Sequence, residues 1–218
     1  MNFMFYNTVL CVYINIYMFI TNVKSCYSLQ KSVITIDQLI EYANLQDIKS
    51  IILCDNNMYA TKEFYDKCNQ NNIKPIIGLE VRTKVNNDEI TNFNIIAKNT
   101  NGYKDLMKLS STQEKNGFIN LNSLKNNPNL KVIISYNGII KEKISSNKEK
   151  ELEPILNNIN DLYLGYYNGI SDQEISFARK NGIRIIEFNP AIGIKNSDVR
   201  ALNNFKQQKL NDKNSSFD

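Results

Sequence analysis

Asp55 and Glu80 are the two carboxylates whose positions invite chemistry. Asp55 follows the short apolar run Ser50-Ile-Ile-Leu-Cys54, and Glu80 stands near the end of Lys74-Pro-Ile-Ile-Gly-Leu-Glu-Val81. Both runs have strand length, and in α/β folds ligands gather at the C-terminal ends of strands. The same rule singles out Asn22 and Lys24, Asn56, Asn137, and Asn189 with Pro190. Asp55 and Glu80 could act together as an acid and a base, but no group that would perturb them is visible in the sequence. The simpler reading, and the one favoured, is a pair of strand-end carboxylates bonded to backbone N–H groups. Two carboxylates among amides make a poor cage for a divalent metal. Cys54 closes an apolar run, which points to a buried and inert thiol rather than a nucleophile.

The 218-residue chain contains no histidine. That removes imidazole acid/base catalysis, Ser-His and Cys-His pairs, and every imidazole metal ligand. Cys11, Cys26, Cys54 and Cys68 show no CxxC pair and no zinc-ligand spacing, as expected for reduced thiols of a cytosolic protein. There is no GxGxxG, no phosphate-binding loop and no nucleophile elbow. A net charge of +4 from interspersed Lys, Arg, Asp and Glu describes a mixed, solvated surface. Arg200, Lys206 and Lys209 lie on a segment that packs through Val199, Leu202 and Phe205, so their side is read as a solvated face.

The elements that must hold these positions follow from periodicity. Thr35 and Gln38 form a capping box ahead of a helix whose apolar face is Ile36, Leu39, Ile40 and Ala43. Further helices are predicted through Lys62–Cys68 and Tyr103–Leu109, from a cap at Ser171 and Glu174 to a stop at Asn181-Gly182, and over Val199–Leu210. Strands are predicted at Ser50–Cys54, Lys74–Val81, Asn94–Ala97, Lys131–Ser135, Asp161–Leu164 and Ile183–Glu187, with a turn at Asn86-Asn87-Asp88. Strands alternating with helices argue for a parallel sheet of βα units, as a barrel or a doubly wound sheet. No linker or internal repeat divides the chain, so one α/β domain is expected, with a loose tail from Asn211.

Residues 1–20 are apolar, aromatic and uncharged. Their length admits a membrane span or a signal segment. Against this, no Lys or Arg precedes the run, no small-x-small cleavage site follows it, and three asparagines interrupt it. The other reading starts the protein at Met18, makes Phe19–Val23 the first strand, and leaves 1–17 as an extension.

The strand ends carry a family resemblance. Met18-Phe-Ile-Thr-Asn-Val-Lys-Ser-Cys-Tyr-Ser-Leu29 resembles the opening segment of the polymerase-and-histidinol-phosphatase (PHP) domain found at the N-terminus of bacterial DNA polymerase III alpha subunits. There a His-rich strand runs into S-x-Y-S-L. Cys54-Asp-Asn-Asn-Met-Tyr-Ala-Thr-Lys-Glu-Phe-Tyr65 resembles its T-D-H-G-N-M-x-G-x-x-E-F-Y. Ile73-Lys-Pro-Ile-Ile-Gly-Leu-Glu80 resembles its I-K-P-I-I-G-x-E, and Ala97-Lys-Asn-Thr-Asn-Gly-Tyr-Lys-Asp-Leu-Met-Lys-Leu-Ser110 its A-K-N-x-x-G-Y-x-N-L-M-K-L-x-S. Gly182-Ile-Arg-Ile-Ile-Glu-Phe-Asn189 stands where the family has a strand ending in N-D-x-H.

The resemblance covers residues 18–210 and implies a distorted (βα)7 barrel with a metal cluster at the strand ends, able to act as a phosphoesterase or proofreading nuclease. Only Asp55 and Glu80 match the implied ligand set. Asn22 and Lys24 replace the His-x-His pair, Asn56 replaces the next His, Asn137 stands at the Cys position, and Pro190 and Ile192 replace the final Asp and His. The expectation is a vestigial site without metal or other cofactor, in which Lys24 forms an ion pair with Asp55 or Glu80. The implied role is a cytoplasmic, non-catalytic scaffold in DNA replication. Its implied partners are the remainder of a polymerase alpha subunit, or replisome proteins such as a proofreading exonuclease, with DNA reached only indirectly. The alternatives are an active PHP phosphoesterase or exonuclease, and a membrane-tethered binding module.

Overall fold

The computed structural model describes residues 11–14, 17–86, 89–135, 139–146, 148–167, 169–195 and 197–204. They fall into two compact units, one drawn from residues 1–55, 59–75 and 190–218, the other from 56–58 and 76–189.

In the first unit β1 (Cys11–Ile14) lies antiparallel to β2 (Tyr17–Val23), and β2 runs parallel to β3 (Ser50–Asp55). β2 therefore begins two residues before the expected Phe19. The register of β2 on β3 slips between Ile20 and Val23, where Asn22 takes a positive φ of 54°. That left-handed conformation suits asparagine better than most residues. Val23 also bridges Ala191. α1 (Ile36–Leu45) has the expected capping box, and its buried residues are the four that mark the apolar face. α2 (Thr61–Gln70) buries Phe64 and Cys68. Residues 197–204 are helical and Leu202 is buried; Phe205, Lys206 and Lys209 lie outside the described residues.

In the second unit β4 (Lys74–Lys84) contributes from Ile76 onward and pairs antiparallel with β5 (Ile90–Ala97). α3 (Thr100–Asn116) follows, and then the two-residue β6 (Ile119–Asn120) joins the end of β4. β7 (Leu130–Ser135) is antiparallel to β5, whereas β8 (Leu162–Tyr166) and β9 (Arg184–Glu187) continue in parallel. The expected all-parallel sheet is thus corrected to a mixed one. The connection from Lys84 to Ile90 is too short for a crossover, so β4 and β5 form a hairpin, which is antiparallel by geometry. α4 (Ile139–Ser145), α5 (Glu153–Asn158) and α6 (Asp172–Lys180) complete the unit, and α6 carries the predicted Ser171/Glu174 capping box.

Apolar strand residues such as Leu79, Val81, Phe93, Ile95, Val132, Ile134 and Leu164 form the core of this unit with Leu106, Leu109 and Phe177 from its helices. Gly102, in the first turn of α3, marks a close approach: a Cβ there would stand 2.4 Å from the Asn129 carbonyl oxygen. Among the described residues no helix is long and apolar enough to cross a membrane.

Candidate functional site: a carboxylate enclosed by serines

In the first unit the strand-end residues come together in a buried polar knot. Thr21, Asn22, Lys24, Ser25, Ser28 and Asp55 are all at most 5% exposed, and polar groups buried at this density are as a rule hydrogen-bonded. Asp55, at the end of β3, accepts three hydrogen bonds. The Ser25 N–H reaches Oδ1 at 2.7 Å, the Ser28 hydroxyl reaches Oδ1 at 2.6 Å, and the Ser25 hydroxyl reaches Oδ2 at 2.5 Å. The loop after β2 holds the two serines in place. Ser28 N–H donates to the Ser25 carbonyl at 2.9 Å, Tyr27 N–H donates to Ser25 Oγ at 3.2 Å, and Cys26 N–H donates to the Ile34 carbonyl at 2.7 Å. Outside the knot, Tyr27 donates to Glu63 on α2, which also pairs with Lys67.

Lys24 donates its ammonium to the Cys54 carbonyl. Its backbone N–H donates to Ala191, and Ala191 N–H donates in turn to the Asn22 carbonyl. Pro190 and Ile192 flank that bridge. The Ile192 carbonyl oxygen accepts from Val33 N–H and from the Ser32 hydroxyl. Cys54 is fully buried, as its place in an apolar run suggested. Burial pushes the Cys68 thiol up to about 12, and burial with the nearby Asp55 charge raises Cys26.

In the second unit the positions are joined through one side chain. Gln113 of α3 donates to the carbonyl oxygens of Asn56 (3.1 Å) and Glu80 (3.3 Å), while its own Oε1 accepts from Arg82 N–H at 2.6 Å. Asn92 donates to Glu80 Oε1 at 3.3 Å. Asn189 donates to Glu187, and its Oδ1 is buried with no hydrogen-bond partner. Tyr166 also bonds Glu187; burial and that carboxylate raise its phenol. Asn137 lies outside the described residues.

Among the described residues no three of His, Cys, Asp and Glu stand close enough to share a metal ion. Asp55 has its oxygens committed to hydroxyl and amide donors, and a buried ammonium sits one residue before Ser25. Both oxygens of Asp55 thus face hydrogen-bond donors in this arrangement.

The match to known proteins follows the same stretch. Residues 21–168 match the PHP domain family model. The chain belongs to the PHP domain family. Curated relatives of this PHP chain include a DNA polymerase III subunit alpha of Ureaplasma parvum, 47% identical over 93 residues, or 41% of the chain and 9% of the relative. Another, from Staphylococcus aureus, is 30% identical over 147 residues, covering 66% of the chain and 13% of the relative. The chain thus spans only a small part of the length of the relatives it matches. A crystal structure from Bifidobacterium adolescentis, of a protein proposed to be a metal-dependent phosphoesterase, superposes with a TM-score of 0.51 at 9% identity. It covers 78% of this chain and 86% of that one, and shows the fold to be of the PHP type.

Sequence reasoning named Asp55 and Lys24 but missed Ser25, Ser28 and Gln113. The serines lay in the S-x-Y-S-L stretch, where two hydroxyls spaced i, i+3 beside a strand end could have flagged a carboxylate cradle. Gln113 gave no signal, because nothing in a solvated helix marks which glutamine turns inward.

Proposed function

We propose that this chain is a non-catalytic PHP module that serves as a scaffold in a DNA polymerase III alpha assembly, with a hydrogen-bonded knot where metal-bearing relatives hold ions. The observation that carries the reading is the Asp55 carboxylate, buried and occupied by Ser25 and Ser28. A carboxylate so engaged has exchanged Lewis-base capacity for three hydrogen bonds, each charge-assisted and stronger than a neutral one. The alpha-subunit relatives support the assembly context, since the matched region lies within a much longer polymerase. On this reading residues 18–210 are the module, 1–17 an extension that adds β1 and the first residue of β2 to its sheet, and 211–218 a tail or the start of a further region. The compartment is the cytoplasm, and the partners are the remainder of the alpha subunit or replisome proteins.

Metal analysis of the purified chain, after equilibration with zinc or manganese, is the direct test. Substoichiometric metal and no EDTA-sensitive hydrolysis of p-nitrophenyl phosphate are expected. One or more tightly held ions per chain, with EDTA-sensitive turnover, would replace the scaffold by an active PHP phosphoesterase.

A further inference from the structure

In the second unit a second cluster of functional side chains gathers at the end of β7, β8 and β9 away from Glu187 and Asn189. Lys98 follows β5, Lys131 is the second residue of β7, Asp161 and Tyr163 sit at the start of β8, and Arg184 opens β9. β5 runs antiparallel to β7, so its C-terminal end meets the N-terminal ends of the other three. Three cations spread across the four adjacent strands β5, β7, β8 and β9, at a strand spacing of about 4.8 Å, make a positive stripe roughly 14 Å wide.

The stripe is ordered by one ring and one carboxylate. The Arg184 guanidinium lies 4.3 Å from the Tyr163 ring centroid, directly across from it in register. Lys131 Nζ stands 5.4 Å from the same ring and 3.3 Å from its hydroxyl. Asp161 pairs with Arg184 at 2.5 Å and with Lys98 at 3.1 Å. This carboxylate therefore pairs with two of the three cations, which leaves a local excess of positive charge. The Arg184 side chain is 64% exposed although it is stacked and paired. A guanidinium plane held against a tyrosine, with its outer face in solvent, can take a base on that face and phosphates along its fork.

We propose that Lys98, Lys131 and Arg184, ordered by Tyr163, form a docking stripe for the sugar-phosphate backbone of single-stranded nucleic acid. A single phosphate gains little here, because it competes with Asp161 in open solvent. A strand that presents several phosphates to the stripe gains by releasing counterions at each one. This contact is separate from the scaffold reading, does not depend on it, and gives the chain a direct hold on nucleic acid.

Fluorescence anisotropy of the full chain with labelled oligo(dT), at two salt concentrations, tests the stripe. Binding in the non-specific range of about 10⁻⁴–10⁻⁶ M, weakening steeply with salt, is expected. The double variant Lys131→Gln/Arg184→Gln should weaken it at least tenfold (~10, from two lost phosphate contacts) and flatten the salt slope by about 1.4. The control Lys62→Gln/Lys108→Gln changes net charge equally elsewhere and should leave binding within about twofold. Arg184→Lys, which keeps the charge but not the plane, should fall between, and it stands in for the double variant if that one fails to fold. No binding by the wild type, or equal loss in the control, would overturn the proposal. So would tighter binding of an acidic peptide, which would reassign the stripe to a protein partner.

Discussion

Both units bury apolar side chains, but they differ in the polar groups buried beside them. The first places a charged, hydrogen-bonded knot among its buried residues, with Asp55 at the centre and Lys24, Ser25 and Ser28 around it. The second rests on a continuous apolar cluster drawn from its strands and helices. Apolar packing is non-directional and tolerates substitutions of similar volume. A buried polar knot is directional, and each member removed strands the donors it served. The difference teaches where a PHP fold of this kind is brittle: at the strand ends of the first unit rather than in the core of the second.

The largest effect should come from Asp55→Ala. It leaves the Ser25 N–H and two serine hydroxyls buried without their acceptor, at a cost of about 3–5 kcal/mol. Urea denaturation measures it, and a change below about 1 kcal/mol would show the knot to be dispensable and erase the contrast. In the second unit Gly102→Ala should cost about 1–3 kcal/mol, because the new methyl meets the Asn129 carbonyl and α3 must shift. If instead it stabilises, as an alanine in an open helix would, the close approach between α3 and residue 129 is wrong.

The smallest effect should be the reverse in sign. Glu174 is buried on α6, and burial raises its carboxyl above the ordinary 4.5, partly offset by its bond from Ser171 N–H. Because the folded state binds the proton more tightly, stability falls as pH rises from 4.5 through the raised value. Glu174→Gln keeps the capping acceptor without the desolvated charge. It should gain up to about 1 kcal/mol at pH 7 and lose that advantage below pH 4.5. Thermal melts at pH 4 and pH 7 would reveal it, and a loss at pH 7 would mean that the charge itself holds the helix start.

Most of the fold was legible because its signals are local. The capping boxes at Thr35 and Ser171 and the apolar runs at Ser50, Leu130 and Ile183 depend on neighbours a few residues away. Strand direction was not, since β5 reverses through a short connection whose significance emerges only from pairing. β6, α4 and α5 were missed because they are short and their periodicity is weak. At the candidate site the sequence located Asp55, Lys24 and Pro190 by their places at strand ends. It did not reveal what Asp55 bonds, because Ser25 and Ser28 meet it only across 27 to 30 residues of chain. Lys143 was invisible for the same reason. It is buried between Glu89 and Glu151, whose bonds outweigh the cost of desolvating it and raise its ammonium above the ordinary value.

The enclosure of Asp55 also bears on how such a sequence can change over generations. A histidine introduced at Asn22 or Asn56 would arrive beside a carboxylate already engaged by two serines, and would bring no benefit on its own. Release of that carboxylate first would strand buried donors before any new ligand was in place. Taken one at a time, such substitutions therefore cost stability before they can supply a ligand, and the enclosed carboxylate resists stepwise change.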